Sequence, residues 1–126
     1  VVGQKLTCDA SPSTHEEEIA MKGVPYRELI GCLHWIANCT RPDITFSVNV
    51  LSRFANNPGQ THWTAAKRVL RYLKGSLDQG LIFKGQSLKL ECYVDADWAG
   101  DADTRKSTSG FICSLGGDAL SWKSKK

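Results

Sequence analysis

The stretch that decides the fold is Leu88-Lys89-Leu90-Glu91-Cys92-Tyr93-Val94-Asp95, in which apolar and polar residues alternate almost without a break. Leu88, Leu90, Cys92 and Val94 fall on one side of an extended chain, and Lys89, Glu91, Tyr93 and Asp95 on the other. This is the period-two signature of a half-buried strand, and it puts Asp95 at a strand end on the face opposite the apolar row. Downstream, a polar loop from Asp97 to Lys106 leads to a second strand around Thr108 to Leu115, and Gly116-Gly117 turns the chain into a last strand, Ala119 to Lys123. Upstream, Leu81 and Phe83 alternate as a short strand and Gly85 to Ser87 reads as a turn. The expected sheet is an antiparallel meander with an uncovered apolar face, which is incomplete as a domain.

Before Gly75 the period is helical. Pro25 suits the first turn of a helix in which Leu29, Ile30, Leu33, Ile36 and Ala37 recur at helical spacing up to a break at Asn38 to Arg41. Pro42 opens a second, with Asp43 near the positive end of its dipole, one stripe of Ile44, Val48, Leu51 and Ala55, and another of Phe46, Val50 and Phe54. Asn56 to Gly59 ends it, and a third runs from about Thr61 with Trp63, Ala66, Leu70 and Leu73 on its apolar face, stopping at Gly75. The aromatic members Trp35, Phe46, Phe54 and Trp63 are expected in the core. Residues 1–23 are polar and aperiodic, a linker or tail. The chain thus divides into a tail (1–23), a three-helix segment (24–77) and a strand segment (78–126), an α+β arrangement.

The chain has 126 residues, enough for one ordinary domain or two small pieces. It begins at Val1 and its one methionine is Met21, so it is read as an excerpt of a longer product. No run approaches the ~18 apolar residues of a membrane span, and no signal-peptide layout opens the chain; no membrane partner is expected. The five cysteines, Cys8, Cys32, Cys39, Cys92 and Cys113, include no C-x-x-C pair and are read as reduced, mostly buried thiols of an intracellular protein. The net charge of +3 divides unevenly: −2 over residues 1–23, +6 over 24–90 and −1 over 91–126. A basic middle suits a polyanion, and the acidic cluster that follows suits metal ions.

Two features carry chemistry. On the third helix Lys67, Arg71 and Lys74 lie at i, i+4 and i+7 with Arg68 beside them and Tyr72 among them, a flank able to track a phosphate backbone or to serve as a plain solvated face. In Asp95-Ala-Asp97-Trp-Ala-Gly100-Asp101-Ala-Asp103, four carboxylates repel one another unless a cation compensates. Asp95, Asp97, Gly100 and Asp103 match calcium-loop positions, but Lys106 stands where a bidentate glutamate is required, so an EF-hand is rejected. Asp97, Asp101 and Asp103 are expected in a solvated loop paired with Arg105 and Lys106. Asp95, held by a strand, suits a first Mg²⁺ ligand for phosphodiester hydrolysis. His34 reads as a helix or core residue, and neither His15 nor His62 pairs with a nucleophile at a recognisable spacing.

The segments TRPDI (40–44), HW (62–63), RYLKG (71–75), DADWAGD (95–101) and RKSTSG (105–110), in this order, resemble the polyprotein of copia-type LTR retrotransposons. The resemblance covers about residues 24–126 and falls at the junction between reverse transcriptase and RNase H. It implies that the helices correspond to the thumb and connection region and the strands to the first three of a truncated RNase H-like sheet. It further implies a parent that copies RNA into DNA and cuts the RNA strand of RNA/DNA hybrids, with Mg²⁺ or Mn²⁺ in the complete RNase H domain, and a cytoplasmic virus-like particle and the nucleus as locations. Asp95 matches the first metal-binding aspartate. The family's remaining carboxylates have no counterpart among these residues, so the fragment alone is expected to hold no metal stably and to be noncatalytic. Its partners would be an RNA/DNA hybrid or primer-template, met through the parent, and the rest of the polyprotein. The alternative is a stand-alone transposon remnant acting as a weak nucleic-acid-binding or interaction module.

Overall fold

The structure, a computed structural model, describes residues 6–85 and 88–126. Its elements are α1 (His15–Met21), α2 (Tyr26–Cys39), α3 (Thr45–Ser52), α4 (Gln60–Lys74), β1 (Leu90–Ala96), β2 (Ser109–Leu115) and β3 (Asp118–Lys125). Short 3₁₀ turns occur at Cys8–Ala10 and Pro42–Ile44. This is a small α+β unit, a helical layer beside an antiparallel sheet of order β1-β2-β3.

The core is helical throughout. Tyr26, Ile30, Leu33 and Ala37 form one buried stripe of α2 and meet Ile44, Val48 and Leu51, with Ala66 of α4 closing the cluster. Tyr26 is buried with its hydroxyl donating to the Leu51 carbonyl at 2.9 Å, which satisfies the one polar atom the stripe carries inward; burial pushes its phenol up to about 12. Phe54 is buried as expected, but Trp35 and Phe46 are 73% and 55% exposed, because they lie on helix flanks left largely uncovered among the described residues. Trp63 and His34 are half-buried.

The polar N-terminal stretch departs from a plain tail by forming α1. Thr14 and Glu17 make a reciprocal capping box at its start: the Glu17 N–H donates to Thr14 Oγ1 at 3.3 Å, and the Glu17 carboxylate accepts from the Thr14 N–H. The expected helix from Pro42 starts as a 3₁₀ turn and is regular only over α3, after which Arg53, Phe54 and Ala55 close i,i+3 turns. Residues 81–85 form no strand; the backbone there makes a single described bond, from the Lys84 N–H to Asp118 Oδ2, and lacks a ladder partner. Of the turn expected at Gly85 to Ser87, residues 86 and 87 lie outside the described residues.

In the sheet, Val94 pairs with Phe111 and that with Lys123, while Tyr93 pairs with Ile112 and that with Trp122. The β2–β3 connection is Gly116-Gly117, both at positive φ (60° and 89°), as a two-residue hairpin demands. Cys92 and Cys113 are directly opposed, with Cα atoms 4.1 Å apart, and are joined by a disulfide. The expectation of reduced, buried cysteines therefore fails for this pair, and the free Cys8, Cys32 and Cys39 are exposed. The physical reason is register: only once the strands pair do two thiols remote in sequence come within bonding reach.

The face bearing Tyr93, Ile112 and Trp122 turns towards the helices. The opposite face, with Leu90 and Val94 61% and 81% exposed, has no cover among the described residues. β3 makes the junction. Its inward row is Trp122 and Ser124, with Lys126 just beyond: Trp122 Nε1 donates to the Ala37 carbonyl at 2.8 Å, and Asn49 Nδ2 of α3 donates to the Ser124 carbonyl. Ala37 is in the last turn of α2, where carbonyls lack helical partners, so the indole acts as a C-terminal cap.

At the start of α4, Gly59 runs so close to the N-terminal segment that a Cβ there would lie 1.9 Å from the Ala10 carbonyl oxygen. Backbone on both sides cannot yield cheaply. We expect Gly59→Ala to lower stability by about 1–3 kcal/mol in urea denaturation and to raise amide exchange at Cys8–Ala10; an unchanged midpoint would contradict the close packing.

Candidate nucleic-acid interface and acidic loop

The four acids of the loop are not a cluster. Asp95, near the end of β1, pairs with Gly110 through the ladder, but its carboxylate is exposed and makes no hydrogen bond or ion pair among the described residues. It lines a groove of about 740 Å³ between the sheet and the 42–46 segment, together with Tyr93, Ile112, Phe46 and Asp43. Asp97 accepts from the Thr108 N–H across the loop neck. Asp103 accepts from the Cys8 N–H at 3.1 Å; separately, a hydrogen bond from the Cys8 thiol to the Asp103 carboxylate, ahead of burial and the charges around it, pushes the thiol up.

Asp101 corrects the expectation of a solvated loop most plainly. Its side chain is 2% exposed and is gripped by Arg53 Nη1 at 2.6 Å and by Lys126 Nζ, with the Thr104 N–H and hydroxyl donating as well. Neither Arg105 nor Lys106 is its ion-pair partner; their backbones instead close turns on it, with Arg105 N–H donating to the Asp101 carbonyl and Asp101 N–H to the Lys106 carbonyl. Burial pushes the Asp101 carboxyl up, but the Lys126 and Thr104 hydrogen bonds and the Arg53 charge outweigh it and hold the group well below the usual carboxylate range. A charge withdrawn from water is stable here because every oxygen is met by a donor.

A second polar centre explains the TRPDI segment. Arg41, 6% exposed, donates through Nε and Nη2 to both Asp43 oxygens and through Nη1 and Nη2 to the Ser76 carbonyl and hydroxyl at 2.9 and 2.7 Å. Tyr72 of α4 donates to Asp43 at 2.8 Å, and its ring lies 5.5 Å under the guanidinium. Hydrogen bonding from Arg41 holds the Asp43 carboxyl down. Two bends and a helix are thereby tied together.

His62 of the HW pair is wholly buried and stacks on Phe54 with ring centroids 4.0 Å apart. Its Nδ1 accepts from the Gly59 N–H at 2.9 Å, which makes Nε2 the protonated nitrogen, donating to the Thr7 carbonyl at 3.1 Å. This structural role was missed in the sequence; its signal was the position three residues after the helix-capping glycine. Burial lowers its pKa.

Lys67, Arg68, Arg71 and Lys74 all lie exposed on α4. Lys67, Arg71 and Lys74 share one face, with the Lys67 ammonium 5.6 Å from the Trp63 ring centroid; Arg71 and Lys74 also oppose the negative end of the helix dipole. Arg68 lies at the border, lining a second groove of about 740 Å³ with Phe46, Arg53, Tyr72 and Asp101. Asp95 lines the other groove, so the basic flank and the strand-end acid are not brought into one site. Among the described residues no group of three or more histidine, cysteine or acidic side chains is placed to hold a metal ion. A Mg²⁺ or Mn²⁺ centre at Asp95 would need ligands besides these residues. No helix among them is long and apolar enough to cross a membrane.

The fold thus defines a small helical unit with an appended, one-sided antiparallel sheet. Over 121 residues, 96% of the chain, it is 47% identical to the retrovirus-related Pol polyprotein from transposon TNT 1-94 of Nicotiana tabacum, and covers 9% of that protein. It is 50% identical over 102 residues to the corresponding polyprotein from transposon RE2 of Arabidopsis thaliana, covering 80% of the chain and 7% of the relative. It is also 50% identical over 107 residues to secreted RxLR effector protein 161 of Plasmopara viticola, covering 84% of the chain and 75% of that protein. No family model matches, and no solved structure matches. By these similarities the chain is a homologue of a segment of the retrovirus-related Pol polyproteins of plant transposons, and it spans less than a tenth of the two polyproteins' length.

We expect Asp101→Asn to cost about 1–3 kcal/mol, below the range for a fully buried pair because Arg53 and Lys126 remain 23% and 22% exposed. Acidification should act in two stages. His62 has a lowered folded-state pKa, so its contribution is complete above about pH 6.5 and is lost as pH falls from there through the folded value. Asp101, also lowered, contributes fully above about pH 4 and loses that as pH falls further. Melting temperature against pH should show a lower step in the wild-type chain that is smaller in Asp101→Asn, where Asp43 still contributes; an identical acid limb in both would refute the assignment.

Proposed function

We propose that this chain is the piece of a copia-type Pol polyprotein that joins the end of the reverse transcriptase to the start of its RNase H domain. The observation that carries the reading is the position of Asp95, exposed and unpartnered at the end of the first strand of a three-strand antiparallel meander. In this reading the parent copies RNA into DNA and hydrolyses the RNA strand of RNA/DNA hybrids. Asp95 contributes one carboxylate to a divalent-metal site whose other ligands come from elsewhere in the polyprotein, and the 126 residues alone are noncatalytic. Lys67, Arg68, Arg71 and Lys74 hold the primer-template or hybrid by its phosphates.

A second reading rests on the Plasmopara viticola relative, three quarters of which this chain covers. A unit of this size occurring outside a long polyprotein supports a stand-alone module that binds nucleic acid or a partner weakly through the same basic flank.

Loss of an outer partner of a metal ligand typically costs 10–100-fold, so loss of a ligand should cost at least about 100-fold. Asp95→Asn in the full polyprotein is therefore expected to reduce Mg²⁺-dependent cleavage of the RNA strand by that factor, while Asp103→Asn changes it by less than about threefold. Equal loss in both would refute the ranking of the acids. Changing Lys67, Arg68, Arg71 and Lys74 to glutamate should weaken hybrid binding and flatten the plot of log affinity against log salt by about 0.7–0.9 per phosphate contact removed; an unchanged slope would sink the assigned surface.

A further inference from the structure

We propose that Cys92–Cys113 is a redox latch on the β1/β2 hairpin, opened by a dithiol reductant and closed by a disulfide oxidant. The inference rests on register and exposure and does not depend on the polyprotein's activity. The two cysteines are direct partners in the ladder, and the bond closes a loop of sequence separation 21 that contains Asp95 and the whole 97–108 segment. It lies on the outward sheet face. Cys92 is exposed, its same-face neighbours Leu90 and Val94 are largely exposed too, and no described helix covers them, so a solvent thiolate can reach the sulfurs. On the other side of β2, the β2–β3 pairing slips in register between Cys113 and Ser114, next to the bond.

The three remaining cysteines do not compete for the role. The Asp103 carboxylate beside Cys8 pushes its thiol up and so disfavours the attacking thiolate. Cys32 and Cys39 lie exposed on α2, a helix whose other stripe is locked in the core. Opening follows thiol–disulfide exchange: one thiolate of the dithiol attacks a cysteine sulfur, the Sγ–Sγ bond breaks, and the second thiol resolves the mixed disulfide. Cys92 and Cys113 gain two electrons and two protons, and the dithiol leaves as its own cyclic disulfide. The consequence is mechanical. Closed, the latch restrains the unfolded hairpin and favours the ordered loop; cross-linking a loop of this length is worth roughly a 100-fold shift in the opening equilibrium.

The test uses the 126-residue chain. After equilibration with an oxidised dithiol, a thiol-reactive chromophore should count the three free cysteines, and after dithiothreitol all five. Tryptic cleavage after Arg105 and Lys106, inside the latched loop, should accelerate roughly 100-fold on reduction. A Cys8→Ser/Cys32→Ser/Cys39→Ser chain should keep that response, and Cys92→Ser/Cys113→Ser should cleave rapidly under both conditions. Five reactive thiols in the oxidised sample, or equal cleavage rates in the oxidised and reduced parent chain, would overturn the proposal, whether or not the serine variants fold.

Discussion

A carboxylate buried between two cations holds this molecule's two halves in register. Asp101 comes from the loop after β1, Arg53 from just past α3, and Lys126 from just past β3. Each alone would be an ordinary surface charge; together they tie the helical layer, the acidic loop and the last strand to a single point. The cost of withdrawing a carboxylate from water is offset only because Thr104 supplies further donors, so removal of any one partner leaves the others badly placed. The loop that results is held firmly enough to keep Ala99 and Arg105 in the left-handed region, at φ 50° and 56°.

From that constraint follows an asymmetry between the layers. The helices own an apolar core, and among the described residues none from the sheet belongs to it. The sheet segment is attached to the helices by directed polar contacts: the Trp122 indole on Ala37, the Asn49 amide on Ser124, and the Arg53 guanidinium on Asp101. Contacts of this kind fix geometry closely but contribute modestly to stability, about 1 kcal/mol each where neutral. The outward apolar face, meanwhile, contributes almost nothing by burial. A sheet so built depends on its hairpins, its disulfide and its seat on α2 and α3.

Much of this was legible in the residues and some was not. The helices 26–39 and 60–74, the Gly116-Gly117 turn and the side on which Asp95 lies follow from local periodicity and turn chemistry, which tertiary packing reinforced. The strand expected at Leu81 and Phe83 had the right alternation but no neighbour to pair with, and pairing is a property of the whole sheet. Asp101 reads as a solvated loop acid because its partners stand 48 and 25 residues away; nothing local distinguishes it from Asp97 or Asp103. Cys92 and Cys113 likewise become a pair only through register. Trp35 and Phe46 obey the helical period, yet the period marks a flank and does not show that anything covers it. At the candidate site, the exposed basic flank of α4 and the place of Asp95 at a strand end were readable; that the four acids go to four different environments was not.

The similarity to a segment of Pol polyproteins fits this picture of a helical unit that stands on its own core and a sheet that leans on it. Native-state hydrogen exchange tests the central claim most directly, comparing amides of the helical core, such as Leu33 and Val48, with those of β3, such as Trp122 and Ser124. The account predicts two tiers, with the β3 amides opening at clearly lower free energy than the core amides. A single tier, with helices and sheet exchanging only through one common global opening, would contradict it.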